Sequence, residues 1–250
     1  ECNAGSGGKI SVWPGLLGMA ATFDPAVALR FGEVASTEYR HLGMATALSP
    51  QIDLATEPRW RRVMATFGEG SKLATDIARA YSDGFQTSKG ADAREGAWGM
   101  NSVNAMVKHW PGGGTCEAGR DAHFGFGKYA VYPGNNFEEH LLPFTQGALQ
   151  LDGPTSSAAA IMPYYTISYG IDPSGENVAN GYSRYIITDL LREKYGFNGV
   201  VCTDWIITAD NPSVETMNGK PWGVEHLSVE ERHFQAIYAG CDQFGGNDDK

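Results

Sequence analysis

A short β-branched run, Val200-Val201, leads through Cys202-Thr203 to an acidic and an aromatic residue, Asp204-Trp205. A buried strand does not normally end on a lone carboxylate, because desolvating that charge is costly. The C-terminal mouth of a parallel barrel strand, however, is where such folds carry their catalytic groups. The local pattern leaves a second reading open, in which Asp204 only caps the segment that follows. Another stretch, Lys108-His109-Trp110-Pro111-Gly112-Gly113-Gly114, puts a cation and an imidazole at a strand end. Such a pair holds hydroxyl groups through charge-assisted hydrogen bonds. A desolvated Lys108 would alternatively serve as a Schiff-base nucleophile, and an isolated Lys-His pair can be purely structural.

Two further groups carry polar chemistry. Pro58-Arg59-Trp60-Arg61-Arg62 places three guanidinium groups around an aromatic ring, which suits recognition of carboxylates or sugar hydroxyls. The same cluster, with Glu57 and Glu69 as partners, would equally brace a loop. In Asp121-Ala122-His123 a carboxylate can orient an imidazole for proton transfer, although a structural loop histidine is the simpler reading. Taken with His109, this pair fits no standard metal-ligand spacing, so no metal is expected. The four cysteines, Cys2, Cys116, Cys202 and Cys241, show no Cys-x-x-Cys spacing, and Cys202 and Cys241 beside strands read as inert core thiols.

The elements that must position these residues alternate between strand and helix. Asp24-Pro25 reads as N-cap and first residue of a helix running to about Leu42, stopped by Gly43. An extended stretch follows at 45–48, with Asp53 just beyond it. Ser71 is expected to cap a helix with Leu73, Ile77, Tyr81 and Phe85 on one face. Strands are expected at 102–107, 158–162, 199–203 and near Asp242. Helices are expected at 137–150, from Ser183 to Gly196 with Ile186, Ile187, Leu190 and Leu191 inward, and from Ser228 to Ala239. Alternating units of this kind imply a parallel sheet, and polar residues collected at strand C-termini favour a TIM-type barrel over a doubly wound sheet.

Bulk properties narrow the function classes. The chain of 250 residues carries 29 acidic and 19 basic residues, a net charge of −10, which argues against nucleic acid and anionic membranes as partners. No apolar run is long enough to span a bilayer. Gly112-Gly113-Gly114 lacks the Lys-Ser/Thr of a phosphate-binding loop and no Gly-x-Gly-x-x-Gly follows a strand, so no nucleotide and no cofactor is expected. The 6 tryptophans and 11 tyrosines are natural material for stacking on sugar rings as well as for a core.

These segments converge on one family. Gly199-Val200-Val201-Cys202-Thr203-Asp204-Trp205 resembles the nucleophile strand of glycoside hydrolase family 3, and Lys108-His109-Trp110-Pro111-Gly112 resembles its Lys-His-Phe-Pro-Gly. Asp53 with Pro58-Arg59-Trp60-Arg61-Arg62 resembles its Asp…Arg-Asp-Pro-Arg-Trp-Gly-Arg block, and Thr66-Phe67-Gly68-Glu69 that block's end. Met162-Pro163-Tyr164-Tyr165 resembles its Met-x-x-Tyr strand end, and Trp13-Pro14 with Ala20-Ala21-Thr22-Phe23-Asp24 resembles the stretch that opens its first long helix. The resemblance implies an α/β fold, a (β/α)8 TIM-type barrel incomplete at the N-terminus. It would form one partial N-terminal catalytic domain over 1–250, with no second domain in this chain.

By the same resemblance Asp204 is the nucleophile, Lys108, His109 and Arg59 bind sugar hydroxyls, and Met162, Tyr165 and Trp205 line the site. The implied activity is that of a retaining, exo-acting β-glycosidase of the β-glucosidase kind, acting on a carbohydrate in the periplasm or outside the cell. The acid/base glutamate is expected from a second α/β domain or further chain segments. Alternatives are a β-N-acetylglucosaminidase using Asp121 and His123, or an inactive sugar-binding fragment. The departures are Thr56, Glu57 and Arg61 where the family has Arg, Asp and Gly, Gly70 in place of Asp, and Thr203 in place of Ser. The family's early Asp-x-x-His-Gly segment would lie before Glu1.

Overall fold

A computed structural model describes residues 10–93 and 97–247, so Cys2 lies outside the described residues. The chain divides into two compact units, each built from several segments. Unit 1 comprises Glu1–Leu54, Arg62–Lys108 and Glu138–Ala160, and unit 2 comprises Ala55–Arg61, His109–Phe137 and Ile161–Lys250.

Unit 1 is organised by helices. A short α1 (Leu16–Ala20) precedes α2 (Pro25–His41), which starts as its sequence requires: Pro25 occupies the first turn and Asp24 accepts the Ala26 N–H at 2.9 Å. Helix α3 (Ser71–Gln86) differs from expectation at its start. Gly70 is the N-cap without a side-chain bond, and the Ser71 hydroxyl donates instead to Glu139 at 3.0 Å. The helix begins one residue earlier than a serine cap would allow, which frees that hydroxyl for a tertiary contact.

Helices α2 and α3 meet through glycine. A Cβ at Gly32 would lie 2.7 Å from the Tyr81 carbonyl oxygen, and one at Gly84 2.3 Å from that of Leu29. That close approach brings Phe31, Tyr81 and Phe85 together, with Tyr81 and Phe85 stacked at 4.9 Å. Each such ring removed from water stabilises the unit by about 1.5–3 kcal/mol.

The main strands are β1 (Thr46–Ala47), β2 (Asn104–Trp110), β4 (Ala160–Pro163), β6 (Val200–Trp205) and β7 (Gln243–Gly245), ordered β1-β2-β4-β6-β7 in one sheet. A separate parallel pair joins β3 (Tyr129–Ala130) to β5 (Ile167–Ser168). β1 pairs with β2 and β6 with β7 in parallel. The order follows the chain without the reversal that defines a doubly wound sheet, so the α/β fold is of the TIM type.

Strand ends shift from their expected places, and the shift matters. β2 continues to Trp110, so Lys108 and His109 lie within the strand rather than beyond it; Trp110 is fully buried and its Nε1 donates to the Ile186 carbonyl at 2.9 Å. β6 likewise extends through Asp204 and Trp205. The segment 185–194 is π-helical rather than α-helical, and α4 (Phe137–Leu142) passes into a π-helical turn over 143–148. Ile186, Ile187, Leu190 and Leu191 are all buried as their spacing requires, since a slightly wider helix still presents one apolar face. Helix α5 (Val229–Ala239) carries the capping box Ser228–Glu231 and ends on left-handed Gly240.

Candidate active site

Unit 2 gathers most of the polar residues singled out above. Asp204, the penultimate residue of β6, is 7% exposed. Its Oδ1 accepts the Trp205 N–H at 2.7 Å. Its Oδ2 is buried and accepts no hydrogen bond from any described residue. His109 Nε2 on β2 lies 3.9 Å from that oxygen, too far for a hydrogen bond. The His109 ring leans on Tyr164 with centroids 4.6 Å apart.

The end of β6 is held by its neighbours. Thr203 Oγ1 accepts the Gly245 N–H at 2.9 Å, so the threonine standing where the family has serine still ties β6 to β7. Tyr165, just past β4, donates its hydroxyl to the Trp205 carbonyl at 2.9 Å. The residue after Trp205 is Ile206, with φ +56°. A β-branched side chain in the left-handed region is strained, and such strain persists where the surroundings over-determine the backbone. Trp205 keeps 39% of its surface exposed, whereas Met162 in β4 is buried.

The loop after β2 brings in a second carboxylate. Asp121 Oδ1 accepts the His123 N–H at 2.9 Å and faces His123 Nδ1 at 2.5 Å. That contact fixes the orientation of the imidazole ring against the carboxylate. Asp121 is buried and Arg61 approaches its Oδ2 at 3.6 Å. The Trp222 indole fixes the loop by donating to the Ala122 carbonyl at 2.9 Å. The His123 ring meets Tyr165 edge-on at 4.9 Å. Among the described residues no three His, Cys, Asp or Glu side chains form a metal-ligand group.

Other predicted residues are placed differently. Arg59 is 72% exposed and engaged by Glu57, with Nε and Nη2 at 2.9 and 2.8 Å, the loop-bracing arrangement that its sequence context left open. The arginine holds the Glu57 carboxyl down at about 2. Trp60 between the arginines is buried against Tyr164. Lys108 is buried and belongs to unit 1, where its backbone pairs with Pro50 and Ile52. Asp53, also in unit 1, is fully buried. Cys202 and Cys241 are buried thiols, pushed by burial to about 11 and about 12, which suits inert core residues.

Sequence reasoning missed Lys220. It is 3% exposed, its Nζ donates to the Met217 carbonyl at 2.7 Å, and it sits 5.0 Å from the centre of the Tyr165 ring. Burial pushes its ammonium down, while the charges of Asp204 and Asp121 act in the opposite sense. A lone lysine in the polar loop Asn218-Gly219-Lys220-Pro221 offers no periodic signal; only the Trp222 that follows hinted at a buried turn.

Comparison with known proteins points the same way as the residues. Residues 1–244 match the family described as "Glycosyl hydrolase family 3 N terminal domain". The chain is 45% identical over 250 residues to beta-glucosidase C of Emericella nidulans, covering 98% of this chain and 38% of that protein. It is 43% identical to the periplasmic beta-glucosidase/beta-xylosidase of Dickeya chrysanthemi, covering 96% of this chain and 37% of that one. The solved structure of a beta-glucosidase involved in saponin metabolism from intestinal bacteria superposes with a TM-score of 0.74 at 27% identity, over 95% of this chain and 28% of that one. The chain thus spans well under half the length of these relatives.

Proposed function

The chain belongs to glycosyl hydrolase family 3, and from that premise we propose that it carries the nucleophile half of a retaining, exo-acting β-glycosidase of the β-glucosidase kind. The observation that supports this most is Asp204: a carboxylate at a strand end with one buried oxygen that no described residue bonds. In this reading Oδ2 attacks the anomeric carbon and the bond from that carbon to the leaving oxygen breaks. An acid/base group protonates the leaving oxygen, and the same group then draws a proton from the water that releases the sugar. Retention needs the two carboxyl groups about 5–5.5 Å apart. His109 Nε2 lies 3.9 Å from Asp204 Oδ2, on the nucleophile side of the site. Lys108 and His109 hold sugar hydroxyls, Trp205 and Tyr165 line the site, and Met162 backs it. Arg59 joins them only if it exchanges Glu57 for a hydroxyl.

The acid/base glutamate comes from chain segments beyond these 250 residues, forming a second α/β domain, and the substrate is a β-glucoside or oligosaccharide cleaved from its non-reducing end. The location is periplasmic or secreted, in keeping with the printed name of the Dickeya relative; among the described residues no helix is long and apolar enough to cross a membrane. One observation favours a second reading. Asp121 and His123 already form a tight pair in the unit that holds Asp204, as a proton-shuttling dyad of a β-N-acetylglucosaminidase would.

The test is covalent trapping. The full-length protein is incubated with a 2-deoxy-2-fluoro-β-glucosyl fluoride, digested, and mapped by mass spectrometry. The glycosyl group is expected on the peptide containing Asp204 and absent from Asp204→Asn. A label on any other residue sinks the assignment. Rates on aryl glucoside and aryl N-acetylglucosaminide, measured on the same sample, decide between the two readings.

A further inference from the structure

We propose that Gly246, with Gly245 before it, is a positioning residue of this site: the two glycines form a flat backbone step under the Trp205 indole, and that step sets the plane the indole presents to the leaving group. The inference rests on the reading of the chain as an exo-acting glycosidase with Asp204 as nucleophile. A Cβ at Gly246 would lie 2.4 Å from Trp205 Cδ1 and 2.6 Å from its Nε1, and one at Gly245 would lie 2.8 Å from Trp205 Cε3. Gly246 therefore meets the five-membered ring of the indole and Gly245 the six-membered ring. Contacts that short leave room for a hydrogen and for no side chain. With the glycines covering one side, the 39% of Trp205 that stays exposed belongs to the side turned away from them.

The backbone around the indole is fastened, so an added side chain displaces the ring and not the chain. β6 advances three residues, from Cys202 to Trp205, while β7 advances two, from Gln243 to Gly245. Such a bulge-type shift in register re-aims the side chains it carries, here Thr203 and Asp204. Gly245 is tied on both sides of it: its N–H donates to Thr203 Oγ1 at 2.9 Å, and its carbonyl accepts the Ile206 N–H at 2.9 Å. The Trp205 carbonyl accepts the Tyr165 hydroxyl. Burial then orders the two neighbours along the strand. Asp204 is buried, and Trp205, next toward the strand end, reaches solvent. An exo-acting enzyme holds the terminal sugar deepest, at the nucleophile, so the partly exposed indole meets what lies beyond the scissile bond. An aromatic face takes a flat ring by offset stacking, a geometry that a tilted indole loses.

The experiment compares two substrates on the full-length protein: 4-nitrophenyl β-glucoside, whose leaving group is a flat ring, and β-glucosyl fluoride, whose leaving group is too small to stack. Gly246→Ala is expected to lower kcat/KM on the aryl glucoside about fivefold, through KM more than kcat, and to leave the fluoride within about twofold. Gly246 has φ +67°, so alanine also strains the backbone. Gly246→Asn adds the same Cβ in a residue that tolerates this conformation, and it is expected to show the same selective loss. In a Trp205→Ala background the added Cβ meets no indole, and Gly246→Ala is expected to cost less than about twofold on either substrate. A folded glycine variant that loses both substrates equally, loses neither, or loses as much without the indole as with it overturns the proposal. Trapping with the fluorosugar on the same samples separates the two levels. If wild type is labelled on Asp204 and the glycine variants miss these expectations, Gly246 alone loses its role. If wild type is labelled elsewhere, the nucleophile reading falls and this proposal with it.

Discussion

Two buried carboxylates, one in each unit, have the same exposure and opposite surroundings. Asp83 in α3 and Asp204 in β6 are both 7% exposed. Asp83 Oδ1 accepts the Gly153 N–H at 3.0 Å, and its Oδ2 accepts those of Asp152 and Gly153 at 3.0 and 3.1 Å. Its role is to cap a turn, and a Cβ at Gly153 would lie 2.5 Å from its Oδ1, so the turn is shaped around it. Burial pushes the Asp83 carboxyl up and the backbone bonds pull it back. Asp204 has one oxygen satisfied by its neighbour's amide and one by nothing in the described protein. Equal burial therefore says little about role; a carboxylate whose lone pairs are used up is structural, and one held with a lone pair in reserve is available for chemistry.

The sharpest test of that contrast is a matched pair of amides. Asp204→Asn is expected to cut kcat by at least about 10³-fold, while stability stays within about 0.5 kcal/mol, because no protein donor loses its acceptor. Asp83→Asn is expected to behave oppositely. Its new NH2 faces backbone N–H groups, which costs about 1–2 kcal/mol, while activity per folded molecule stays within about twofold. Urea melts and initial rates on the two purified variants check both halves. An Asp83→Asn protein that is stable but slow would erase the distinction.

The next largest effect tests how unit 1 is packed. Gly84 follows Asp83 in α3, and alanine would ordinarily gain about 1 kcal/mol in a helix interior. Here the added Cβ would meet the Leu29 carbonyl oxygen at 2.3 Å, with the Gly32 Cα at 2.9 Å. The sign is expected to invert, with Gly84→Ala losing about 3 kcal/mol or more as α2 is forced away. Thermal unfolding measures it, and a stabilised variant would show that the α2–α3 approach is looser than described.

What the sequence disclosed divides along the same line. In unit 1, periodicity and caps sufficed: Asp24-Pro25 opened α2, and Ile77, Tyr81 and Phe85 turned inward, because an apolar face has only one way to leave water. In unit 2 the chain elements were legible, but the side-chain partnerships were not. The spacing of Ile186, Ile187, Leu190 and Leu191 located the helix without distinguishing π from α, since both bury one stripe. The Arg59 segment was visible; whether Arg59 met a ligand or Glu57 was a matter of two adjacent loops. Asp204 and His109 were found from motifs, and their 3.9 Å separation follows from the ordering of β2, β4 and β6 that no local pattern encodes. Lys220 left no trace because a buried lysine in a loop looks like any solvated one.

The smallest effect concerns the pH dependence of unit 1. His140 in α4 is buried, and burial pushes its imidazole down from 6.5, with Glu139 and Asp53 partly offsetting the shift. The folded state therefore binds fewer protons here than the unfolded chain. Its contribution to stability is full above about pH 6.5 and is lost as pH falls toward the lower folded value, with a slope of at most about 1.4 kcal/mol per pH unit. His140→Gln cannot titrate, so its stability is expected to vary less between about pH 5 and 7 than that of the wild type. The acid limb of kcat/KM is expected to stay where it was, because His140 is not among the residues proposed to touch the substrate. Denaturant melts and pH–rate profiles on the same variant test both. A limb that moves with His140 would place a titrating group of the chemistry in unit 1, and the division drawn from Asp83 and Asp204 would have to be redrawn around it.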